Sequence, residues 1–406
     1  MSGRVDGERF HALDAVRGGA LTLGVFFHAA LSFLPGPQIW IVMDASRSTE
    51  LSVLFFALHI FRMTVFFVLA GFFARMLLER RGVGGFIANR AKRIAIPLVA
   101  FWPLALASII AVAIWSAVRA NGGTMPEGPP PSPLTAQTFP LTHLWFLYVL
   151  LIFYAVALAL RELVSLIDRS GGLRARLLDP LMRTICGPGA PVMLAVPVAA
   201  ALYFTPDWYM WFGIPTPDIG LAPKPTALSA YGLAFGIGWL IQRQPQILDG
   251  WGAIWGAYVG PAIGATITCL FMAGVAPVLA PAERDLATLG YAALYAFAVW
   301  AWTIAIIGFA VRRLAGHSRA RRYLADASYW IYIVHLPIVM ALQAALAPYD
   351  WPWFAKYPLM LAVAFAIMLA SYQWFVRYSF IGAILNGKKQ RPAKAQAAPQ
   401  LAAAAE

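Results

Sequence analysis

The chain alternates long apolar stretches with short polar or basic ones. Ten stretches approach the roughly 20 apolar residues that a membrane span needs. They cover about 12–34, 53–77, 94–118, 141–160, 191–204, 227–242, 251–273, 287–311, 323–347 and 357–379. The fifth is short and interrupted by Pro197. The pattern predicts an all-α, polytopic membrane protein of about ten transmembrane helices, with both termini cytoplasmic.

Composition and charge sharpen that picture. The chain has 406 residues, 61% hydrophobic and 12% charged, with a mean hydropathy of +0.69. A soluble domain carries about 25% charged residues. The net charge of +13 would hint at nucleic acid in a soluble protein. With ten spans and a cytoplasmic N-terminus, however, 25 of the 31 Lys and Arg residues fall on the inner side and five on the outer, leaving Arg62 within a span. That split follows the positive-inside rule. The basic charge is therefore a topological signature with no nucleic-acid partner implied. The bilayer is the partner, with affinity for anionic lipid as a by-product.

Cys186 and Cys269 are too few for a disulfide framework. The first apolar stretch carries Asp14, Arg17 and His28 and lacks a small-residue cleavage site, so it does not read as a cleaved signal peptide. Residues 1–386 read as one integral membrane domain and 387–406 as a low-complexity, disordered cytoplasmic tail. The outer loop 119–140 is rich in Pro and Gly, hence extended. The loop 205–226 contains "TPDWYMWFGIPTPD", which suits an interfacial aromatic belt or a platform for stacking sugars. The Arg-rich inner loops 74–93 and 161–186 suit short helices on the membrane surface.

Ionisable groups inside spans are costly and mark function by default. Arg17 and His28 in "RGGALTLGVFFH" are eleven residues apart, which places both on one helical face about 16 Å apart along the axis. Arg90 and Arg93 in "NRAKRIAIP" begin the third stretch on the same inner side as Arg17. Arginine is suited to bidentate phosphate contacts. An anionic group held there would reach His28 through a long uncharged arm, which is the shape of coenzyme A. The plain alternative is that these arginines snorkel and anchor helices. His59 and Arg62 lie three apart in the second stretch, His143 opens the fourth at the outer surface, and His335 is mid-membrane in the ninth. For each, a role in the acceptor or thioester site competes with structural hydrogen bonding.

The sequence resembles the acyltransferase-3 family of membrane proteins. "RFHALDAVRGGALTLGVFFH" is similar to the family's opening, with its Arg-x10-His pattern at Arg17 and His28. "FFVLAGFF" is similar to the end of its second span, with Ala70 where the family usually has Ser. "RAKR" (90–93) fits its Arg-x-x-Arg motif, and "ASYWIYIVHLP" its penultimate span. "HIFRMTVFFVLAGFF", "HLWFLYVLLIFY" and "YSFIGAILNGKK" are similar to the glucan-biosynthesis branch of that family.

The resemblance implies an O-acyltransferase of the bacterial inner membrane that takes an acyl group from cytoplasmic acyl-CoA to a carbohydrate hydroxyl outside. The branch implies succinyl transfer to periplasmic glucans, with acetyl as the other candidate. In that reading His28 is the general base, and Arg17, Arg90 and Arg93 bind the CoA phosphates. His59, Arg62, His143 and His335 are candidate substrate-binding residues. Acyl-CoA is a substrate, and no permanently bound cofactor or metal site is expected. A secondary transporter or flippase for an anionic or glycan substrate is the rival, since it also uses intramembrane His and Arg. No oligomeric state follows from the sequence.

Overall fold

A computed structural model describes residues 2–126 and 133–387, with side chains from His11 onward. The tail expected to be disordered, apart from Gly387, and the centre of the Pro-rich loop lie outside the described residues. The described residues form α1 (Ser2–Ala30), α2 (Thr49–Arg90), α3 (Ile96–Ala120), α4 (Trp145–Ile167), α5 (Asp179–Ile185) and α6 (Ala190–Tyr203). These are followed by α7 (Pro225–Ile241), α8 (Gln246–Ala273), α9 (Leu286–Arg313), α10 (Arg319–Leu346), α11 (Trp353–Ser371) and α12 (Phe380–Leu385). Among them there is no strand beyond one isolated bridge between Pro140 and Ile219. The protein is all-helical.

Seven helical segments are long and apolar enough to cross a membrane. Each of the ten stretches read from the sequence lies on a helix. The lower number has two causes. First, α6 and α7 are only 14 and 17 residues long, and α6 meets the helical segment Arg174–Ile185 at a 95° bend. Second, Thr49–Ala120 is one helical run of 72 residues.

A straight helix of that length would measure about 108 Å, over three times a bilayer's hydrocarbon core. The run is broken at Gly82 (φ 66°, ψ 179°), a conformation open to glycine, and loosened by a π-helical turn at Ala91–Ala95. Its two ends return to one end of the bundle. The amide of Ser48 donates to Phe33 O (2.8 Å), Gln343 Nε2 donates to His28 O, and Arg119 Nη1 donates to the Ala344 carbonyl one residue beyond Gln343. Hence α2 and α3 run in opposite directions. The helices expected in the basic loops are present as the end of α2 and as α5.

Membrane helices pack through small residues, because lipid supplies little hydrophobic drive between them. A Cβ on Gly238 would fall 1.8 Å from Val68 O, and one on Gly71 would fall 1.9 Å from Phe235 O, so α2 and α7 touch backbone to backbone. A Cβ on Gly18 would fall 2.9 Å from Ala325 Cα, so α1 also packs closely on α10. These crossings gather α1, α2 and α10 around the segments that carry Arg17, His28, His59, Arg62 and His335.

The loop after α1 is pinned to α11. Asp44 accepts two hydrogen bonds from Lys356 Nζ, at 2.9 and 2.7 Å, with both side chains almost wholly buried. The Asp44 amide in turn donates to Ser32 O (2.9 Å).

Candidate functional site

Five polar side chains from four segments line one small cavity of about 70 Å³: His28 on α1, His59 and Arg62 on α2, His143 just before α4, and His335 on α10. The sequence reading singled out all five separately. The structure brings them together.

Local backbone features position His143 and the end of α1 that carries His28. Pro337 lies inside α10 and has no N–H, so the carbonyl four residues earlier, Ile333 O, loses its helical donor. His143 Nε2 donates to it at 2.9 Å. His143 itself is turned inward by Thr142, a β-branched residue at φ 55°, an uncommon and strained conformation. His143 is buried, which corrects the expectation of an outer-surface position. At the end of α1 the last carbonyls have no helical donor. Gln343 Nε2 takes His28 O at 2.9 Å and is itself held by Trp40 Nε1, 2.9 Å from Gln343 Oε1.

The hydrogen-bond network assigns the tautomers. A carbonyl only accepts, so His335 Nδ1–H donates to Tyr332 O (2.7 Å) and His335 Nε2 carries a lone pair. That lone pair lies 3.1 Å from His28 Nδ1, which is also 2.8 Å from Gly24 O. His28 therefore bears its proton on Nδ1, shared between two acceptors. Its Nε2 is the basic nitrogen, and no described residue hydrogen-bonds it. By the same logic His143 Nδ1 is a lone pair, buried and unpartnered. His59 stacks in an aromatic column with Phe27 and Phe55, with centroids 5.6 and 5.9 Å away, and its Nε2 is also buried without a partner.

Arg62 is 9% exposed, and its Cζ lies 4.1 Å from the centre of the Phe27 ring. A Cβ on Gly24 would sit 3.3 Å from Arg62 Nη1 and 3.8 Å from His335 Nε2, so it would press on the guanidinium and touch the imidazole. Among the described residues no carboxylate pairs with Arg62, and its Nε has no partner. An uncompensated buried cation is costly. It is a ready counter-charge for an anion formed in, or brought into, the cavity.

A second cavity of about 210 Å³ holds Arg17, Arg90 and Arg93 together. Arg17 pairs with Asp14, one turn earlier on α1, at 3.1 Å and lies over Phe73. Arg90 lies over Phe86 and Tyr154, with its Nε buried and unpartnered. Tyr329 OH fixes the backbone by donating to Arg93 O. The two cavities share Leu21, Phe66, Phe146 and Tyr332 as walls, so the arginine mouth abuts the histidine cavity. Ala70, where the family usually has Ser, lines the mouth and supplies no hydroxyl.

The loop "TPDWYMWFGIPTPD" behaves differently from the sequence reading. Trp208 and Trp211 are buried, donating to Gly213 O and Gly274 O, and Trp211 stacks on Phe55. Trp211 supports the aromatic column of Phe55, Phe27 and His59, Trp208 packs on Tyr291, and the two are neither an exposed belt nor a platform. Thr216 of the same loop is exposed and lines the histidine cavity. Among the described residues no group of three or more His, Cys, Asp or Glu is placed to hold a metal.

The family profile described as "Acyltransferase domain" matches residues 10–373, which include the whole histidine cavity and all of the arginine mouth except Leu385 and Asn386. The chain belongs to the acyltransferase-3 family. It is accordingly a multi-pass membrane O-acyltransferase by family. The acyltransferase is 31% identical over 157 residues to proteins named "Glucans biosynthesis protein C" from Salmonella paratyphi B and Salmonella heidelberg. That region is 38% of this chain and 40% of each relative, so the likeness spans well under half of those proteins. No solved structure matches the acyltransferase.

Proposed function

We propose that the protein transfers an acyl group from acyl-CoA to a carbohydrate hydroxyl across a bacterial inner membrane. Ten spans, formed by α1–α4 and α6–α11, place both termini in the cytoplasm. The observation that carries this reading is the shared wall between the arginine mouth and the histidine cavity. Guanidiniums at one end suit the CoA phosphates. The adjoining cavities suit the pantetheine arm, which would pass the shared wall, and His28 sits where the thioester would arrive.

His28 Nε2 removes the proton from the acceptor hydroxyl, and the oxygen attacks the thioester carbonyl. Arg62 faces the oxyanion as it forms. The C–S bond then breaks, and the departing CoA sulfur takes the proton from His28. His335 holds the Nδ1–H tautomer throughout. His59 and His143 offer lone pairs to further hydroxyls of the acceptor. The cavity volume corresponds to about two water molecules, room for the thioester carbonyl and not for a sugar as well, so the sugar approaches from the side of exposed Thr216. The name of the partial relatives supports a glucan acceptor. The lone charge of Arg62 supports succinyl over acetyl, because a succinyl carboxylate needs a counter-ion at that depth.

The test is mass spectrometry of periplasmic and surface glycans from a host with and without the gene. Loss of an acyl mass increment on an otherwise present glycan is expected. Disappearance of the whole glycan from the outside would instead favour transport.

A further inference from the structure

A much larger cavity lies away from the histidines. It is a groove of about 750 Å³ between α4 and α7, with the lower part of α2 as its third side. Its length is apolar, formed by residues such as Phe153, Leu160, Phe235 and Trp239, and one end carries Arg75, Arg161, Arg174 and Arg243 with Glu79. Gly236 opens the floor, since a Cβ there would meet nothing within 4 Å.

We propose that this groove binds one anionic glycerophospholipid, with an acyl chain along α4 and α7 and its phosphate on the four guanidiniums. Three features carry the proposal. From Leu228 to Arg243 the groove runs about 22 Å, most of the length of α7, which exceeds the roughly 15 Å hydrocarbon depth of one leaflet and so accommodates one acyl chain from the charged end. The lining groups at the charged end are four cations and one anion. The guanidiniums also keep donors to spare. Carboxylates occupy Nε of Arg75, Nη1 of Arg161, Nε of Arg174 and the Nε/Nη2 edge of Arg243, and Arg174 Nη2 donates to Asp168 O, whereas each guanidinium has five N–H bonds. The ion pairs thus hold the guanidiniums in place and leave N–H donors for a phosphate. The groove is separate from the arginine mouth, so it adds a lipid site to the proposed transfer reaction and does not depend on the donor's identity.

Native mass spectrometry of the full chain tests this. Purified protein is equilibrated in micelles with equimolar phosphatidylglycerol and phosphatidylethanolamine. The wild type should retain one phosphatidylglycerol with about tenfold preference. Arg75→Gln with Arg161→Gln should abolish the preference, and Gly236→Trp should abolish retention with every cation intact. Thermal unfolding identifies any variant that is misfolded. Absence of preference in the wild type overturns the proposal, and so does retention in a folded Gly236→Trp. Preference for an equimolar polyisoprenyl phosphate overturns the phospholipid assignment. Lipid retention is read without turnover, so its failure is distinguishable from failure of the acyl-transfer reading.

Discussion

His335 Nε2 lies 3.1 Å from His28 Nδ1, joining two imidazoles 307 residues apart. The contact makes His335 a positioning residue for the proposed base. When His28 accepts a proton it becomes a cation, and a hydrogen bond to a charged group contributes about 1.5–3 kcal/mol. His335→Ala should therefore slow transfer about 10- to 100-fold. KM for the donor should stay near wild type, and the acid limb of the kcat–pH profile should move. A structural role alone would lower the folded yield and leave the profile of the folded fraction in place.

The donor mouth makes a separate prediction. Arg17→Ala, or Arg90→Ala with Arg93→Ala, should weaken CoA binding to detergent-solubilised protein and flatten its salt dependence. Unchanged binding would make these arginines helix anchors.

Arg62 bears on the acyl group. With succinyl-CoA and acetyl-CoA supplied equally, Arg62→Gln should lose succinyl transfer selectively, by about tenfold or more. Equal loss of both products would assign Arg62 to the oxyanion alone and remove the preference for succinyl.

The Lys356–Asp44 pair predicts a stability pattern. Lys356→Met leaves a buried carboxylate unpaired and should destabilise the fold by about 3–5 kcal/mol. Adding Asp44→Asn should recover much of that loss in thermal unfolding. No recovery would mean that Lys356 acts through packing alone.

Much of the fold was legible because each apolar stretch declares its own helix. The Arg17–His28 register follows from one helical period, and Arg90 and Arg93, grouped with Arg17 by their common basic character, line one cavity with it. The convergence of His28, His59, Arg62, His143 and His335 was not legible, since it depends on how separate helices cross at Gly18, Gly71 and Gly238. His143 was misplaced because a strained Thr142 turns it inward. Pro337, which frees the carbonyl that His143 binds, is a sequence signal that was available. Trp208 and Trp211 read as interfacial because a loop that folds back into the core looks like a surface loop in the sequence. Gln343, Trp40 and the Lys356–Asp44 pair were missed because each partnership spans some 300 residues and leaves no local pattern.

The central claim is that His28 Nε2 is the base that activates the acceptor. The most direct measurement is single-turnover transfer from labelled acyl-CoA to a glucan acceptor, comparing purified wild type with His28→Ala and measuring CoA binding alongside. General-base catalysis contributes about 10²–10⁴-fold. His28→Ala should lose that factor while CoA binding stays within about twofold. Transfer above about a tenth of the wild-type rate, with CoA binding intact, would contradict the account.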